Sequence, residues 1–518
     1  MMAEHPAALT ARELIAALVG QGVRDVVLAP GSRSAPLAYA LAAAEAAGWL
    51  RVHIRVDERV AGFVALGIAR VRPAAVVTTS GTAVANVHPA VLEAHHARLP
   101  LLVISADRPH ELRGVGANQT TDQRDLFGRA LRSGVDLPAT HGLGVHSAVV
   151  RAVAAATGRR GGAPGPAQIN VAFRDPLVPA TPWRPGAAPA PPLVATFASG
   201  APPVPLGGEQ FTVVVAGDGA GPAAAELAQA AGWPLLAEPS SGVRSSPAAI
   251  AGYRELLPDL GPLVQRVVVF GRPTLSRQVS ALLARTDVET IVVDPVGEWV
   301  DVAGVASVVA GAVTWSGGVS DPTWLDRWRS WEPPVSDGAM TGQALTRALL
   351  AADQPYPVVL GSSLTVRHAD LVAPVGADFT AAPVVANRGL AGIDGTISTA
   401  TGLALATAAP VRAVMGDLTF VHDVGGLAHG VHEPEVDLQV FVLNDHGGGI
   451  FATLEHGRAE HAQVFERYFG TEQHLDVAAL ARGFGADYHP VRSASELAHV
   501  LAGPPRGRSV VEVELPSR

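Results

Sequence analysis

Short apolar runs alternate with longer stretches rich in Ala and Leu along this 518-residue chain. The short runs end at Gly, Pro, Asp or Ser and predict buried strands, whereas the longer stretches predict helices. Thr10-Ala11-Arg12-Glu13 has the pattern of a capping box, which predicts that the first helix opens there. Regular alternation of strand and helix is typical of α/β proteins with parallel sheets.

The predicted strands form three groups along the chain. They cover residues 26–28, 52–56, 74–78 and 101–105, then 212–216, 267–270 and 291–293, and finally 358–360, 384–385, 411–415 and 438–443. A helix is predicted from Glu58 to Ala69, and residues 181–207 have the Pro-, Ala- and Gly-rich composition of a linker. With a prior of about one domain per 150 residues, the chain is expected to form about three domains.

Composition narrows the class of protein. The net charge of −9 and the pI near 6.0 argue against a nucleic-acid-binding surface, which would be basic. Arg, Asp or turn residues interrupt each apolar stretch before it could span a membrane, and the first residues lack the basic region of a signal peptide. The chain has no cysteine, which suits a reducing compartment. We therefore expect a cytoplasmic protein with no nucleic-acid partner and no membrane span.

Two missing residue types limit the chemistry. Without cysteine there is no thiolate nucleophile, and the chain also contains no lysine. A Schiff-base enzyme, a pyridoxal phosphate enzyme and a Walker-A ATPase all need an amine, so these classes are excluded. If the chain performs covalent carbon chemistry, its nucleophile is expected to come from a cofactor.

Two acidic motifs follow predicted strands near the C-terminus. Asp417 lies in Gly-Asp-Leu-Thr after the strand at 411–415, and Asp445 lies in Asn-Asp-His-Gly-Gly-Gly-Ile-Phe after the strand at 438–443. Carboxylates at neighbouring strand ends can hold one Mg²⁺, and a glycine-rich turn leaves backbone amides for phosphate. The separation of 28 residues (445 − 417) resembles the thiamine diphosphate signature, although Asp445 stands where many relatives have Asn.

A similar motif in the middle of the chain lacks its second half. Gly217-Asp218-Gly219 also follows a strand, but no Asn-Asp or Asn-Asn pair lies about 28 residues later. We interpret it as a tight strand-to-helix turn.

Among the histidines, no pair has an acid at metal spacing, and we expect them to be surface or packing residues.

Thiamine chemistry requires a carboxylate at a strand end in a dry cleft, where it can hydrogen-bond the aminopyrimidine ring. Asp57 and Glu58 follow the predicted strand at 52–56 and both fit this position. A helix-start acid could instead interact with the helix dipole.

Several motifs together resemble one family. They are residues 29–37 (Ala-Pro-Gly-Ser-Arg-Ser-Ala-Pro-Leu), 57–63 (Asp-Glu-Arg-Val-Ala-Gly-Phe), 78–86 (Thr-Thr-Ser-Gly-Thr-Ala-Val-Ala-Asn), 106–109 (Ala-Asp-Arg-Pro), 116–119 (Gly-Ala-Asn-Gln), 387–389 (Asn-Arg-Gly), 392–395 (Gly-Ile-Asp-Gly) and 416–418 (Gly-Asp-Leu). The chain is similar in these motifs to the 2-succinyl-5-enolpyruvyl-6-hydroxy-3-cyclohexene-1-carboxylate synthases of menaquinone biosynthesis.

The resemblance implies a transferase with three doubly wound parallel-sheet α/β domains. These would be a pyrimidine-binding domain at 1–182, a linker at 183–206, a central domain at 207–335 and a diphosphate- and Mg²⁺-binding domain at 336–518. The implied reaction is thiamine diphosphate-dependent decarboxylation of 2-oxoglutarate and 1,4-addition of the resulting carbanion to isochorismate. The family architecture implies a homodimer or homotetramer with active sites at the subunit interface.

The resemblance also assigns roles to residues and favours Glu58 over Asp57. The implied catalytic residues are Glu58, Arg33, Gln119 and Arg388. The implied cofactor contacts are Glu58, Ser363, Gly392, Ile393, Gly416, Asp417, Leu418, Thr419, Asp445, Gly447, Ile450 and Phe451, with Asp417, Asp445 and Gly447 on Mg²⁺ or Mn²⁺. The implied substrate contacts are Ser32, Arg33, Arg108, Asn118, Gln119, Arg277, Ser363, Arg367 and Arg388. Ser276 stands where the family often has Lys beside Arg277.

Three alternatives stay open at this point. The chain could be another thiamine diphosphate enzyme, such as an acetolactate synthase or a 2-oxoacid decarboxylase, or a non-catalytic protein of the same fold. The arginines favour dicarboxylate substrates, because pyruvate needs fewer cations.

A central-domain cluster (Arg244, Arg254, Arg277) could bind an acidic effector, but we expect solvated surface arginines there.

Overall fold

The structure is a computed structural model that describes residues 4–142, 144–159, 161–190, 200–318, 321–331, 340–351, 356–376 and 383–515. The chain forms two compact units. The first unit contains Met1–Phe197, Asp394–Ala409 and His422–Leu438, and the second contains Ala198–Ile393, Pro410–Val421 and Gln439–Arg518. None of the helices within these described ranges is long and apolar enough to cross a membrane.

The first unit is built on a six-stranded parallel sheet in the order β2-β1-β3-β4-β6-β5. Its strands are β1 (Asp25–Leu28), β2 (Arg51–Ile54), β3 (Ala74–Thr78), β4 (Leu101–Asp107), β5 (Ser133–Leu137) and β6 (Ala167–Ala172). The N-terminal helices are α1 (Pro6–Gly20), α2 (Ala35–Ala46), α3 (Glu58–Ala69), α4 (Thr82–Asn86), α5 (His88–His96) and α6 (Gly144–Ala156). Every residue of β1, β3, β4 and β6 is buried, as expected for strands covered on both faces.

The strand predictions hold in this unit, but the predicted start of the first helix is wrong. β3 and α3 have the predicted bounds. Helix α1 begins at Pro6, before the expected capping box, and Thr10 lies buried inside it. Proline suits the first turn because the N–H that it lacks has no partner in a helix at that position.

The second unit contains two larger parallel sheets. Its strands are β7 (Val204–Leu206), β8 (Thr212–Ala216), β9 (Leu235–Ala237), β10 (Arg266–Phe270), β11 (Glu289–Val293), β12 (Ala306–Ala310), β13 (Val313–Trp315), β14 (Val358–Leu360), β15 (Val384–Ala386), β16 (Val411–Gly416), β17 (Leu438–Asn444), β18 (Asp487–Val491) and β19 (Arg508–Glu514). One sheet has five strands in the order β12-β11-β10-β8-β9, and another has six in the order β15-β14-β16-β17-β19-β18. A two-stranded sheet pairs β13 with β7.

Further helices follow α6 along the chain. They are α7 (Pro222–Ala231), α8 (Tyr253–Leu260), α9 (Arg277–Leu283), α10 (Thr323–Arg327), α11 (Gly342–Ala351), α12 (Leu364–Val372), α13 (Thr396–Thr407), α14 (Asp417–His422), α15 (Gly449–Ala452), α16 (Ala462–Phe465), α17 (Val477–Gly483) and α18 (Ala494–Leu501). Helix α13 belongs to the first unit. The predicted α/β architecture is therefore present, with three sheets of five or six strands.

The ends of the predicted linker are ordered by packing. Trp183 lies edge-on against Trp49 at 5.5 Å between ring centroids, and Trp49 Nε1 donates to the Gly186 carbonyl at 3.0 Å. At the other end, β7 is a strand rather than a spacer. Residues 191–199 and the predicted boundary at 335/336 lie outside the described residues, so the four domain bounds stay predictions.

Two glycines let α3 and α13 approach backbone to backbone within the first unit. A Cβ built on Gly402 would lie 2.0 Å from the Val64 carbonyl oxygen, and one on Gly67 would lie 2.2 Å from the Thr399 oxygen. At the start of α13, Gly395 has a positive φ of 62° and lies against the Phe63 ring. Helix α3 is therefore fixed by a segment more than 300 residues away in sequence (402 − 67).

Substitution of Gly402 by Ala should loosen this helix pair. The added methyl group would overlap the Val64 carbonyl, and such overpacking costs about 1–3 kcal/mol. We expect Gly402→Ala to lower the melting temperature in a thermal unfolding scan by several degrees. Gly483→Ala is the matched control, because Gly483 lies in a helix with no neighbour within 4 Å of its Cβ position. Equal melting temperatures for the two variants would contradict this account.

Candidate active site

A cavity of about 250 Å³ opens at the carboxyl ends of β14, β16 and β17 in the second unit. Most of the predicted cofactor contacts lie on its wall: Ser363, Ile393, Gly416, Asp417, Leu418, Thr419, Asp445, Gly447, Ile450 and Phe451. Gly392 is the neighbour of the lining residue Ile393. The wall also includes Gly448 and Gly449 of the predicted glycine-rich turn, and Ser362, Leu364, Thr365, His368, Leu443 and Leu515, which sequence reasoning missed.

The two acidic residues meet at this cavity because their strands are neighbours. Asp417 is the first residue of α14, directly after β16, and is 3% exposed. Asp445 directly follows β17, the strand adjacent to β16 in the sheet, and is half-buried. Within the described ranges, no group of three or more His, Asp or Glu side chains could hold a metal ion. A cation here would therefore take other oxygen ligands besides the two carboxylates.

The glycines after Asp445 have a different role from the one predicted. The expectation that the turn leaves its amides for phosphate is wrong for two of them, because Gly448 N donates to the Gly470 carbonyl at 2.6 Å and Gly449 N to the Gly447 carbonyl at 2.9 Å. A Cβ on Gly449 would lie 1.9 Å from Asp445 Oδ2. Glycine is needed at 449 so that the carboxylate can lie close to the backbone.

The start of α12 is a second place on the cavity wall where backbone groups could bind an anion. Ser363, Leu364 and Thr365 line the cavity at the first turn of this helix, where backbone N–H groups have no partner inside the helix. A helix N-terminus also favours negative charge. Ser362 Oγ donates to the Asn387 carbonyl at 2.6 Å and so links this turn to the end of β15.

Part of the cavity lining is apolar. Ile393, Leu418, Ile450 and Phe451 contribute to it, and the Phe451 ring packs at 5.8 Å against Phe469. This side suits an aromatic ring, and the side formed by the two aspartates and α12 suits a charged group.

Two of the predicted arginines of the second unit, Arg367 and Arg388, are shielded from solvent and lie close enough to interact. Arg388, after β15, is 3% exposed and donates from Nη2 to Thr274 Oγ1 at 2.9 Å. Arg367 on α12 donates to the Ser363 carbonyl at 2.9 Å. Burial lowers the pKa of Arg367, and the charges of Arg388, Arg254 and Arg277 lower it further. A bound anion would relieve this repulsion.

Two central-domain arginines differ from each other, and of these two only Arg277 lies at the surface as expected. Arg244, expected at the surface, is 6% exposed and donates to the carbonyls of Ala237 and Ala373. Arg277 is exposed and forms a bidentate ion pair with Glu455 at 2.7 and 3.3 Å. Ser276 caps α9 by accepting from Val279 N.

In the first unit, Asp57 and Glu58 have separate roles. Asp57 is the N-cap of α3, and its Oδ1 accepts from Arg59 N at 2.8 Å and Val60 N at 3.2 Å. Glu58 is the first residue of α3 and is half-buried, with no part in that cap. The carboxylate of Glu58 therefore remains available beside the helix start.

Arg33 and Arg108 lie close enough to interact. Arg33, next to the exposed Ser32, is buried and donates to the Phe173 carbonyl at 2.9 Å. Burial lowers the pKa of Arg108, and the charge of Arg33 lowers it further. The two guanidinium groups thus lie near each other, and Asp175 Oδ2 lies 3.4 Å from Arg33 Nη1.

Gln119 is held in an uncommon backbone conformation beside the exposed Asn118. Its φ is +53°, its Nε2 donates to the Ser80 carbonyl, and Ser80 Oγ donates back to the Gln119 carbonyl, each at 2.9 Å. Such conformations of non-glycine residues persist where the surroundings enforce them. The buried Gln123, which sequence reasoning missed, accepts from Gly81 N at 2.8 Å and anchors the same loop.

The central Gly-Asp-Gly motif is a turn, as predicted. Gly217 N donates to the Phe270 carbonyl, and Asp218 and Arg272 exchange backbone hydrogen bonds at 3.2 and 3.0 Å. Helix α7 then begins at Pro222.

Paired carboxylates at the strand ends of a parallel α/β fold fit a thiamine diphosphate enzyme, and the matching family models assign this class. Family models agree: residues 9–126 match the thiamine pyrophosphate enzyme N-terminal TPP binding domain, and residues 378–513 match its C-terminal TPP binding domain.

Curated relatives then identify the family. A protein of Kineococcus radiotolerans is 47% identical over 98% of this chain and 96% of its own, and one of Arthrobacter sp. is 46% identical over 97% and 88%. A third, from Mycobacterium sp., is 41% identical over 98% and 97%. All three are named 2-succinyl-5-enolpyruvyl-6-hydroxy-3-cyclohexene-1-carboxylate synthase. The chain belongs to this synthase family.

His368 on the cavity wall should make stability depend on pH. Burial lowers its pKa to about 4 from an ordinary value near 6.5, and its Nδ1 is buried without a hydrogen-bond partner in the described structure. The unfolded chain therefore binds a proton that the folded chain does not, so stability is lost as pH falls from about 6.5 toward 4. Between these two pKa values, this residue should change the free energy of unfolding by up to about 1.4 kcal/mol per pH unit.

The measurement is denaturant unfolding of the wild type and His368→Gln across that pH range. We expect the variant to lose stability less steeply than the wild type, because Gln does not titrate. Parallel curves would show that His368 is not the buried neutral group described here.

Proposed function

We propose that the chain decarboxylates 2-oxoglutarate and joins the remaining carbon unit to isochorismate by 1,4-addition. The products would be CO₂ and 2-succinyl-5-enolpyruvyl-6-hydroxy-3-cyclohexene-1-carboxylate, in menaquinone biosynthesis. The observation that carries this proposal is the cavity at the strand ends that is lined by Asp417 and Asp445 together with apolar side chains such as Ile393 and Ile450. The shared name of the relatives supports the product.

The residues of the cavity fit thiamine diphosphate with a divalent metal. Asp417, Asp445 and the backbone of Gly447 would hold Mg²⁺ or Mn²⁺, which bind hard oxygen ligands and often keep phosphate in their coordination sphere. The first turn of α12 would receive the diphosphate, and Ile393 and Ile450 would contact the rings. When bound, the cofactor supplies the carbon nucleophile that a chain without Cys or Lys lacks.

Glu58 would accept a hydrogen bond from the aminopyrimidine ring and so stabilise the tautomer that takes up a proton. Asp57 is already committed to capping α3, which supports the choice of Glu58. The close packing of α3 against α13 would keep this carboxylate in place.

The arginines would recognise the carboxylates of both substrates. Guanidinium groups bind carboxylates in a bidentate manner and stay charged when buried. Arg33 and Arg108 form one positive site, and Arg367 and Arg388 form another. Ser32, Asn118, Gln119 and Ser363 would add neutral hydrogen-bonding groups, and Arg277 would contribute after release from Glu455.

We propose a homodimer or homotetramer in which the Glu58-bearing part of one subunit completes the metal-bearing part of another. Exposed apolar residues near the proposed site residues support a subunit contact. Val56, two residues before Glu58, is 84% exposed, and Leu390, two residues after Arg388, is 51% exposed.

The function is tested by CO₂ release from 2-oxoglutarate, with and without isochorismate, in the presence of thiamine diphosphate and Mg²⁺. We expect CO₂ release together with consumption of isochorismate. Thiamine diphosphate should raise the melting temperature when Mg²⁺ is present and fail to do so in chelator-treated protein. Consumption of pyruvate without turnover of 2-oxoglutarate would instead indicate an acetolactate synthase or a 2-oxoacid decarboxylase.

Glu58→Gln tests the proposed activator. The amide keeps the size of the side chain but cannot favour the required proton position, so we expect activity to fall by about 100-fold or more. The thermal shift with thiamine diphosphate should be retained. Asp57→Asn is the matched control, since Asn caps helices well and should leave turnover within a few-fold of wild type. Near-normal activity of Glu58→Gln would refute the assignment.

A further inference from the structure

A buried acid in the five-stranded sheet holds the turn that contacts Arg388. Glu238 directly follows β9 and is 2% exposed. Its Oε1 accepts from both Thr274 N and Leu275 N, each at 2.9 Å. One carboxyl oxygen therefore fixes two successive backbone amides of the turn after β10.

The same turn carries the contact to the six-stranded sheet. Thr274 Oγ1 accepts from Arg388 Nη2 at 2.9 Å, and Arg388 follows the strand β15. A continuous path of hydrogen bonds thus runs from Glu238 through Thr274 to Arg388. All three residues belong to the second unit.

Only part of the Arg388 guanidinium is used by this contact. Its Nε is buried and has no hydrogen-bond partner in the described part of the chain. Arginine carries five N–H donors in a planar fork. Once Thr274 fixes one edge of the fork, the remaining donors have a defined direction in which to meet a carboxylate.

Burial of the Glu238 carboxyl group costs free energy of folding, so its retention at this position calls for an explanation. A buried carboxyl group is expensive unless it is well paired, and apolar replacements of such groups are often neutral or stabilising. Burial raises the pKa of Glu238 to about 8, and Asp370 raises it further, whereas Arg388 and the two amides lower it. Its Oε2 has no hydrogen-bond partner in the described structure. The two hydrogen bonds that Glu238 accepts from Thr274 N and Leu275 N are thus what this buried side chain adds to the structure.

We propose that Glu238 is a positioning residue for substrate recognition, which holds the Thr274 turn so that Arg388 presents its free donors to a substrate carboxylate. The inference rests on the proposed role of Arg388 in the active site. It places a determinant of substrate affinity in the central sheet, on a residue that would not touch the substrate.

Three variants of the enzyme loaded with thiamine diphosphate and Mg²⁺ test each step. Glu238→Gln keeps a carbonyl oxygen that accepts both amides, so KM for the dicarboxylate substrates should stay within about threefold of wild type. Glu238→Ala frees the turn, and Thr274→Val removes the hydroxyl at nearly constant size. Both should raise KM for at least one substrate about tenfold, as expected for a lost hydrogen bond to a charged group, with a smaller change in kcat.

The double variant tests whether the two residues act through one path. Glu238→Ala with Thr274→Val should raise KM no more than the larger single change, because contacts in one network are not additive. Thr290→Val is the matched control, since Thr290 is a buried threonine of the same sheet whose hydroxyl has no hydrogen-bond partner in the described structure. It should leave KM and kcat unchanged.

Calorimetric titration of glutarate, an inert dicarboxylate, separates this inference from the proposed function. If the wild type does not turn over 2-oxoglutarate, the proposed function is overturned. The affinity of the variants for glutarate still tests the role of Glu238, because that measurement does not require turnover. We expect Glu238→Ala and Thr274→Val to weaken glutarate binding about fivefold or more, with the thermal shift by thiamine diphosphate unchanged.

Two results with glutarate would overturn the inference: equal affinity for all variants, or no binding to the wild type. Three kinetic results would also overturn it. The KM of Glu238→Ala could equal that of Thr290→Val, Glu238→Gln could be as impaired as Glu238→Ala, or Thr274→Val could have a normal KM. If Glu238→Ala does not fold, Thr274→Val decides alone, because it removes the last contact to Arg388.

Discussion

The arrangement of the site depends on the way a parallel sheet brings its carboxyl ends to one edge. β16 and β17 are neighbours in the six-stranded sheet, and each is followed at once by an aspartate. Their side chains share one cavity because the strands share one edge. The start of α12 joins them for the same reason, since it follows β14 on the other side of β16. Sheet topology alone thus gathers the charged wall of the cavity.

Glycine supplies a second constraint on the proposed site residues. Asp445 can lie over the backbone only because residue 449 has no Cβ, and α3 meets α13 only because residues 67 and 402 have none. In each case a missing side chain lets a backbone approach that a larger residue would prevent. The helix that begins at Glu58 is held in this way, and the loop that follows Asp445 is held as well.

The features that could be predicted from sequence are those with a local signal. Buried strands such as β3 and β8 are short apolar runs, α3 has a capping aspartate, and the paired aspartate motifs have a fixed spacing. The features that escaped depend on long-range packing. Gln123, His368 and Glu238 carry no motif, and their roles come from burial against distant backbone groups. The predicted start of α1 and the predicted free amides of Gly448 and Gly449 were wrong, because another local backbone structure was equally compatible with the sequence pattern.

Arginine is suited to the buried cationic positions of this acidic chain. Arg412 shows the physical limit: it is 2% exposed, and burial lowers its pKa to about 10, which still leaves it charged at neutral pH. A lysine starts near 10.4, and a fall of similar size would bring its pKa to about 8, close to losing its charge. Arg388 is also buried, and in Arg367 burial lowers the pKa while the charges of Arg388, Arg254 and Arg277 lower it further. A site that binds dicarboxylates through such buried cations needs guanidinium groups, because they remain positive before the substrate arrives.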